Sequence, residues 1–280
     1  MTTLSFAKLH GTANDFIYVD AREGFPGDPA ELAPRLCDRR RGIGADGLIL
    51  VRPPSNGDAD CRMVIYNADG SRAEMCGNGI RGLAKFVHDR RLLRASPLRV
   101  ETDAGVKTVH AEIANGRVAR VTVDMGAPVW EGRAIPVAAD GEVIEQPLEV
   151  GGRTYRVTCL SMGNPHCVVF VDDVTSLPLA ELGPRFEHHP FFPRRVNAEF
   201  ARVEGHGRLV MRVWERGAGE TMACGTGACA VAVAAARTGR AARRAVVVLP
   251  GGELEIDWRD DDRVLMTGDA VDVYEGRIEV

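Results

Sequence analysis

Two cysteines stand in matching surroundings about half the chain apart. The first lies in RAEMCGNGIRG, residues 72–82, and the second in MACGTGACA, beginning at Met222. Each is followed by Gly, then Asn or Thr, then Gly. Each follows a polar, glycine-bearing approach (NADGSRAEM and ERGAGETMA) and leads into a helical pattern. A helix N-terminus carries unpaired N–H groups and a partial positive charge. It binds anions, carboxylates included, and lowers the pKa of a cysteine placed there. The glycines let the backbone approach a ligand closely. One such start can therefore hold a carboxylate beside a reactive thiol. Two of them facing each other would grip one carboxylate and present a sulfur to each face of the adjacent carbon. This chemistry inverts a stereocentre without a cofactor. One thiolate removes the α-proton and the other thiol delivers a proton to the opposite face. An α-C–H is a very weak acid, so the reaction needs a dry site and N–H groups aimed at the carboxylate.

The glycines of the first segment, Gly77-x-Gly79-x-x-Gly82, also have the spacing of a dinucleotide loop. Such a loop follows its strand directly and has an acid some 20 residues on. Here the preceding strand pattern ends near Tyr66, with a polar turn between, although Glu101 stands where a ribose acid could. The second copy, Gly225-x-Gly227-x-x-Ala230, has Ala, Arg and Val in the corresponding region. The twin cysteines therefore outweigh the dinucleotide reading. The chain has only three lysines, Lys8, Lys85 and Lys107, none in a Schiff-base motif.

Short β-rich runs must position these segments: 16–20, 47–51, 62–66, 98–102 and 118–124 in the first half. The second half has runs at 154–160, 167–171, 197–203, 209–214, 245–249 and 254–258. Gly, Pro, Asn and Asp turns separate them. Helical patterns are fewer, at about 30–41, 78–90, 178–185 and 226–238. Strands outnumber helices without regular alternation, which speaks against a doubly wound sheet. The 280 residues suffice for two domains. Net charge is −4, so no basic footprint for nucleic acid is expected. The apolar stretch Ala228–Ala236 is far shorter than the roughly 20 residues of a membrane helix. The start has no signal-peptide pattern. The seven cysteines are odd in number and contain no C-x-x-C pair, arguing for thiols in a reducing, cytoplasmic setting.

Beyond the two cysteine segments, KLHGTANDFIYVD, YNADGSRAEMCGNGIRGLAKFV, SMGNPHCVVFVDDV, RVNAEF, RVWERGAGETMACGTGACA, LPGGELEIDW and MTGDAVDVYEG occur in that order. Together they resemble the diaminopimelate epimerase family over nearly the whole chain. The resemblance implies an α/β (α+β) fold of two pseudo-symmetric, β-rich, barrel-like domains, each wrapped on a central helix. It implies domains at 1–121 plus 269–280, carrying Cys76, and at 122–268, carrying Cys224. It further implies that Cys76 and Cys224 are the acid/base pair. Gly77, Asn78, Gly225 and Thr226 would hold the reacting carboxylate, and Glu215 the α-amino group. Asn14, Asn67, Asn164, Asn197 and Arg216 would read the distal amino acid head. His166 and Glu215 would tune the thiols. No cofactor or metal, a diaminopimelate substrate, a homodimer, and no nucleic acid or membrane partner complete the expectation. Cys167 and Cys229 read as packing residues.

Some positions depart from the family pattern. Ala13 interrupts a glycine-rich turn before Asn14. Gly47 stands where some relatives have glutamine. Thr226 replaces a frequent serine. Glu199 places a negative charge near Asn197 that the sequence leaves unexplained. The proline racemase and hydroxyproline epimerase type shares the two-thiol logic but has a substrate without a distal head. Arg216 and the asparagines favour diaminopimelate over it, and the cysteine pair separates the chain from PhzF-like relatives. An amino acid binding protein would need no thiols.

Overall fold

The computed structural model describes residues 2–55 and 57–280. Its contacts divide the chain into two units, Met1–Asp124 with Thr267–Val280, and Met125–Met266. In chain order the first unit contains β1 (Thr3–Gly11), β2 (Asn14–Asp20), α1 (Pro29–Cys37), β3 (Gly47–Arg52), β4 (Cys61–Asn67), β5 (Arg72–Ala73) and α2 (Gly77–Asp89). It continues through β6 (Leu98–Thr102), β7 (Gly105–Ala114) and β8 (Arg117–Gly126). The second unit contains β9 (Val143–Val150), β10 (Arg153–Ser161), β11 (Pro165–Phe170), α3 (Leu179–Glu187), β12 (Asn197–Val203), β13 (Arg208–Glu215) and β14 (Gly219–Glu220). Then come α4 (Gly225–Arg237), β15 (Arg244–Leu249) and β16 (Gly252–Trp258). β17 (Val264–Asp269) leads back to β18 (Val271–Glu279), which pairs antiparallel with β1.

The two units are built alike. β2–α1–β3 and β11–α3–β12 are parallel crossovers, and each is followed by an antiparallel strand, a two-residue strand and a long helix. Registers match as well: Phe16 pairs with Gly47 as His166 pairs with Asn197. The short helices carry a second sequence twin. Ala30-Glu-Leu-Ala-Pro-Arg35 in α1 matches Ala180-Glu-Leu-Gly-Pro-Arg185 in α3. This second twin lies in segments that the sequence marks only as helical patterns.

Strand parity separates two buried faces. In the first unit, Ile17, Val19, Leu48, Leu50 and Val64 pack with Leu32, Ala33 and Leu36 of α1. Tyr18 and Ile49 point the other way, to α2. In the second unit, Cys167, Val169, Ala198 and Phe200 join Leu179, Leu182 and Phe186 of α3. His166, Asn197 and Glu199 therefore lie on the α4 side. Cys167 and Cys229 are fully buried packing residues.

α2 and α4 are buried on all sides for most of their length, α2 among β1, β2, β3 and β7, and α4 among β10–β13, β15 and β16. A helix wrapped this way must be apolar or small all round. α4 meets the requirement with alanines and valines, alanine also being the best helix former. α2 instead buries two cations and pairs them. Arg81, 0% exposed, donates to the carbonyls of Asp269 and Gly77 and to Thr12 Oγ1. Lys85 donates to Asp89 at 2.7 Å and to the Val118 carbonyl at 2.9 Å.

The expected helix at 30–41 ends at Cys37. Asp38 leaves helical geometry, and its carboxylate accepts the N–H groups of Arg40 and Arg41, the local competition with helix that Asp favours. β1, β5, β7, β9, β14 and β17 lie outside the expected strand runs, while the family resemblance implies a last strand near 269–280, where β18 lies. β18 is largely exposed on both faces, so it shows no apolar alternation, and its pairing with β1 holds it.

The β1–β2 turn places both Thr12 (φ 50°) and Ala13 (φ 61°) in the left-handed region. A two-residue hairpin turn with positive φ at both central positions favours glycine or asparagine, and a Cβ there costs about 1–2 kcal/mol. Ala13→Gly is therefore expected to raise stability by about 0.5–1 kcal/mol, after the greater unfolded-chain entropy of glycine is discounted. Urea denaturation monitored by fluorescence measures it.

Candidate active site

Cys76 is the N-cap of α2. Its backbone is extended (φ −137°, ψ 119°), and Sγ accepts the Gly79 N–H at 3.3 Å. Serine or threonine normally fills this role; here a sulfur does. The glycines behind it are set by space. A Cβ at Gly79 would lie 2.7 Å from Ile49 Cδ1, and one at Gly82 would lie 2.1 Å from the Tyr18 hydroxyl. That hydroxyl donates to the Gly79 carbonyl at 3.0 Å. The G-x-G-x-x-G spacing thus serves the seating of the cysteine helix against its sheet.

Asn14 and Asn78 complete this cluster. Asn14 Oδ1 accepts from Cys76 Sγ at 3.6 Å and from Asn78 Nδ2 at 3.3 Å. Asn78 is buried, and its Oδ1 accepts from Thr12 Oγ1 at 3.1 Å. Asn14 Nδ2 in turn donates to Asp46 at 2.7 Å. Arg39 bridges Asp46 and Asp15, and Lys8 lies 2.8 Å from Asp15. Burial pushes the Asp15 carboxyl up, but the Arg39 and Lys8 hydrogen bonds outweigh it and hold the group well below the usual carboxylate range. This ionic cluster anchors the asparagine that touches the thiol. Asn67 closes its own exposed turn, donating to Ser71 Oγ at 2.9 Å. At Gly47 a Cβ would lie 2.7 Å from the Tyr66 carbonyl, so this backbone has no room for a longer side chain there.

Cys224 is the N-cap of α4 (φ −121°, ψ 110°), with Sγ 3.4 Å from the Gly227 N–H and 3.5 Å from Thr226 Oγ1. It is 5% exposed. A lowered thiol pKa was expected at both helix starts; for Cys224 the structure corrects this. Burial pushes the thiol well up, the charges of Glu215 and Glu199 push it further, and Thr226 and the Gly227 N–H offset only part. Glu215, at the end of β13, accepts from Thr221 Oγ1 and from the Cys224 thiol. Burial raises its carboxyl too.

His166 lies between two acceptors. Nδ1 is 2.6 Å from Glu199 Oε1 and Nε2 is 2.8 Å from Asn164 Oδ1. Glu199, which the sequence left unexplained, is fully buried on the face toward α4 and belongs to this cluster. A strand residue read singly gave no sign of it; its two-residue offset from Asn197 was the available signal, since residues i and i+2 share a face. Asn197 is buried, with Nδ2 donating to the Pro165 carbonyl at 2.8 Å and Oδ1 accepting the Arg216 N–H at 2.9 Å. Both ends of its amide thus brace the backbone that presents Arg216. The Arg216 guanidinium is exposed and touches the Arg194 carbonyl at 3.4 Å. Among the described residues, no group of three or more His, Cys, Asp or Glu is arranged to hold a metal ion. No helix among them is long and apolar enough to cross a membrane.

The fold is shared with amino acid racemases and epimerases. A hydroxyproline epimerase from Agrobacterium vitis superposes with a TM-score of 0.72 at 15% identity, covering 99% of this chain and 92% of that one. Sequence places the chain more narrowly. The diaminopimelate epimerase family model matches residues 6–131 and 158–273. A diaminopimelate epimerase of Moorella thermoacetica is 55% identical over 98% of both chains, and one of Synechococcus elongatus is 53% identical over 99% of both. This chain belongs to the diaminopimelate epimerase family.

Glu215 supplies a pH test independent of turnover. Its raised folded pKa means that the unfolded chain releases this proton first as pH rises. Between the unfolded value of about 4.3 and the folded value the native state binds more protons, so this group's contribution to stability falls with rising pH. Glu215→Gln is expected to lessen the loss of stability between about pH 4.5 and about pH 8, measured by urea denaturation at both. An undiminished loss would contradict the assignment.

Proposed function

We propose that this chain epimerises LL-2,6-diaminopimelate to the meso isomer with Cys76 and Cys224 as the acid/base pair. The observation that carries the reading is the pair of sulfur N-caps on two equivalent buried helices, in a chain of this family. One thiolate takes the α-proton and the other thiol returns a proton to the opposite face. Cys224, buried and beside two carboxylates, rests as the thiol. It is therefore the proton donor when Cys76 acts as base, and the roles reverse in the other direction. The N–H groups at Gly77, Asn78, Gly225 and Thr226 stabilise the carboxylate as negative charge spreads onto it from the α-carbon. Glu215 holds the α-ammonium group. Arg216, with Asn14, Asn67, Asn164 and Asn197, reads the distal head. An amino acid without a distal carboxylate forgoes the charged partner that the exposed Arg216 guanidinium offers and is bound less well. The reading includes a cytoplasmic homodimer and lysine and peptidoglycan precursor synthesis as the setting.

The deciding experiment is α-proton exchange in D₂O with reduced enzyme, offered LL-diaminopimelate, L-proline and trans-4-hydroxy-L-proline separately. Deuterium at the α-carbon with meso product from diaminopimelate alone is the expected result. Exchange with a proline would keep the two-thiol chemistry and move the substrate to the proline racemase type. Cys76→Ser and Cys224→Ser should each lower kcat by about 10²–10⁴-fold; a wild-type rate in either would overturn the mechanism. Arg216→Met should raise KM about tenfold or more while kcat changes less, as steady-state kinetics would show.

A further inference from the structure

The equivalence of the two units exposes one substitution of kind. At the start of α2, the space left by Gly79 is filled by Ile49 Cδ1, 2.7 Å from where a Cβ would sit. At the start of α4, the space left by Gly227 is filled by Glu199 Oε1 at 2.9 Å, with Cys224 Sγ at 3.2 Å from the same point. Ile49 and Glu199 occupy the same place in matching registers, two residues beyond Gly47 and Asn197. Phe16 and His166 likewise correspond. An apolar pair is therefore enough to pack this position, and the second unit replaces it with a carboxylate and an imidazole, both fully buried.

The hydrogen bonds of that pair fix its proton count. Asn164 Oδ1 can only accept, so Nε2 of His166 carries a hydrogen. The 2.6 Å contact between Nδ1 and Glu199 Oε1 needs one more proton. The pair holds that proton either on the ring, as imidazolium and carboxylate, or on the acid, as neutral imidazole and carboxyl. It is neutral overall in both forms. Glu199 Oε2 is buried without a partner, so the carboxylate form is poorly solvated and the proton can pass to it when a further negative charge arises nearby. The other titratable groups packed around Glu199 are Cys167 on β11, Glu215 at the end of β13 and Cys224 at the start of α4.

Resting on the two-thiol reading above, we propose that Glu199 is a positioning residue for epimerisation, sharing one proton with His166 so that the charge beside Cys224 follows the state of its sulfur. While Cys224 is a thiol, the proton lies on Nδ1 and Glu199 is a carboxylate. When Cys224 gives its proton to the α-carbon and becomes a thiolate, the shared proton crosses the hydrogen bond to Oε1. The neighbouring negative charge is then removed at the moment it would repel the sulfur. The pair gains and loses no proton in the cycle, so no co-reactant is needed.

The test uses the full-length enzyme and iodoacetamide, with the Cys224 peptide quantified by mass spectrometry from about pH 6 to about pH 10. Its readout is the pH midpoint of alkylation, which requires no substrate and so judges this proposal even if diaminopimelate is not turned over. Glu199→Gln should move the midpoint down by about one pH unit. With diaminopimelate it should lower kcat about tenfold with KM changed less than about threefold. The double variant His166→Phe with Glu199→Ile, which copies the packing of the first unit, should fold, lower the midpoint similarly and remain slow. In wild-type protein labelled with ¹⁵N-histidine, a strongly downfield proton coupled to His166 should be present and should vanish in the double variant. An unmoved or raised midpoint in both variants, or no downfield proton in the wild type, would overturn the proposal.

Discussion

Everything near the candidate site follows from one constraint: a sulfur caps the first turn of a helix that the surrounding sheet buries. A helix start leaves several N–H groups without intrahelical partners, and burial makes each unsatisfied group costly. At Cys76 and Cys224 the cap sulfur accepts the N–H three residues on, that of Gly79 and of Gly227. The N–H groups at Gly77, Asn78, Gly225 and Thr226 lie ahead of that bond, at the place where a carboxylate is well held. Sulfur is a weaker acceptor than the oxygen of serine, so stability alone would select serine here. On the reading proposed above, cysteine at both positions trades some helix stability for a group able to exchange a proton with carbon.

The same constraint accounts for the packing behind the caps. To bury a helix close to a sheet, the first turn must be thin on the sheet side. Gly79 and Gly82 are thin because Ile49 and Tyr18 fill the space, and Gly227 because Glu199 does. The sheet strands then serve two helices at once. Their alternate residues form an apolar core with α1 or α3 on one face and supply the site on the other. Asn197 and His166 can be polar and buried because their outward neighbours Ala198 and Cys167 carry the core packing. Each of these polar side chains has partners, Pro165 and Arg216 for Asn197, and Glu199 and Asn164 for His166.

Much of this was legible in the sequence, and the limits were physical. The twin cysteine segments, the helices behind them and most core strands are visible because glycine spacing, caps and apolar runs are local signals. β18 gives no local signal, because its residues face outward and it is held by β1, a partner more than 250 residues away in sequence, and only the family resemblance implies a strand there. Glu199 was noticed but unplaced, since a charge in a strand declares its face only when its pairing register is known. The lowered pKa expected for both thiols holds as a rule about helix starts and fails at Cys224, where desolvation and two carboxylates outweigh the helix. Local pattern predicts the helix dipole; it does not predict how much water the fold removes.

That failure bears on the chemistry. Two thiols in identical surroundings would hold the same proton state, and a two-thiol exchange needs one of each at rest. On the two-thiol reading proposed above, the equivalent helix starts meet this need with different charged neighbours. In α2, Arg81 is fully buried and donates to the carbonyl of Gly77, the residue after Cys76. Its counterpart one turn into α4, five residues after the cysteine in each case, is the neutral Cys229. In the second unit the charges beside the cysteine are the carboxylates of Glu215 and Glu199. A buried cation near one cap and acids near the other are expensive to desolvate, and the place that Glu199 fills beside Gly227 is filled by the apolar Ile49 beside Gly79. On the two-thiol reading proposed above, these charges make two otherwise equivalent helix starts unlike.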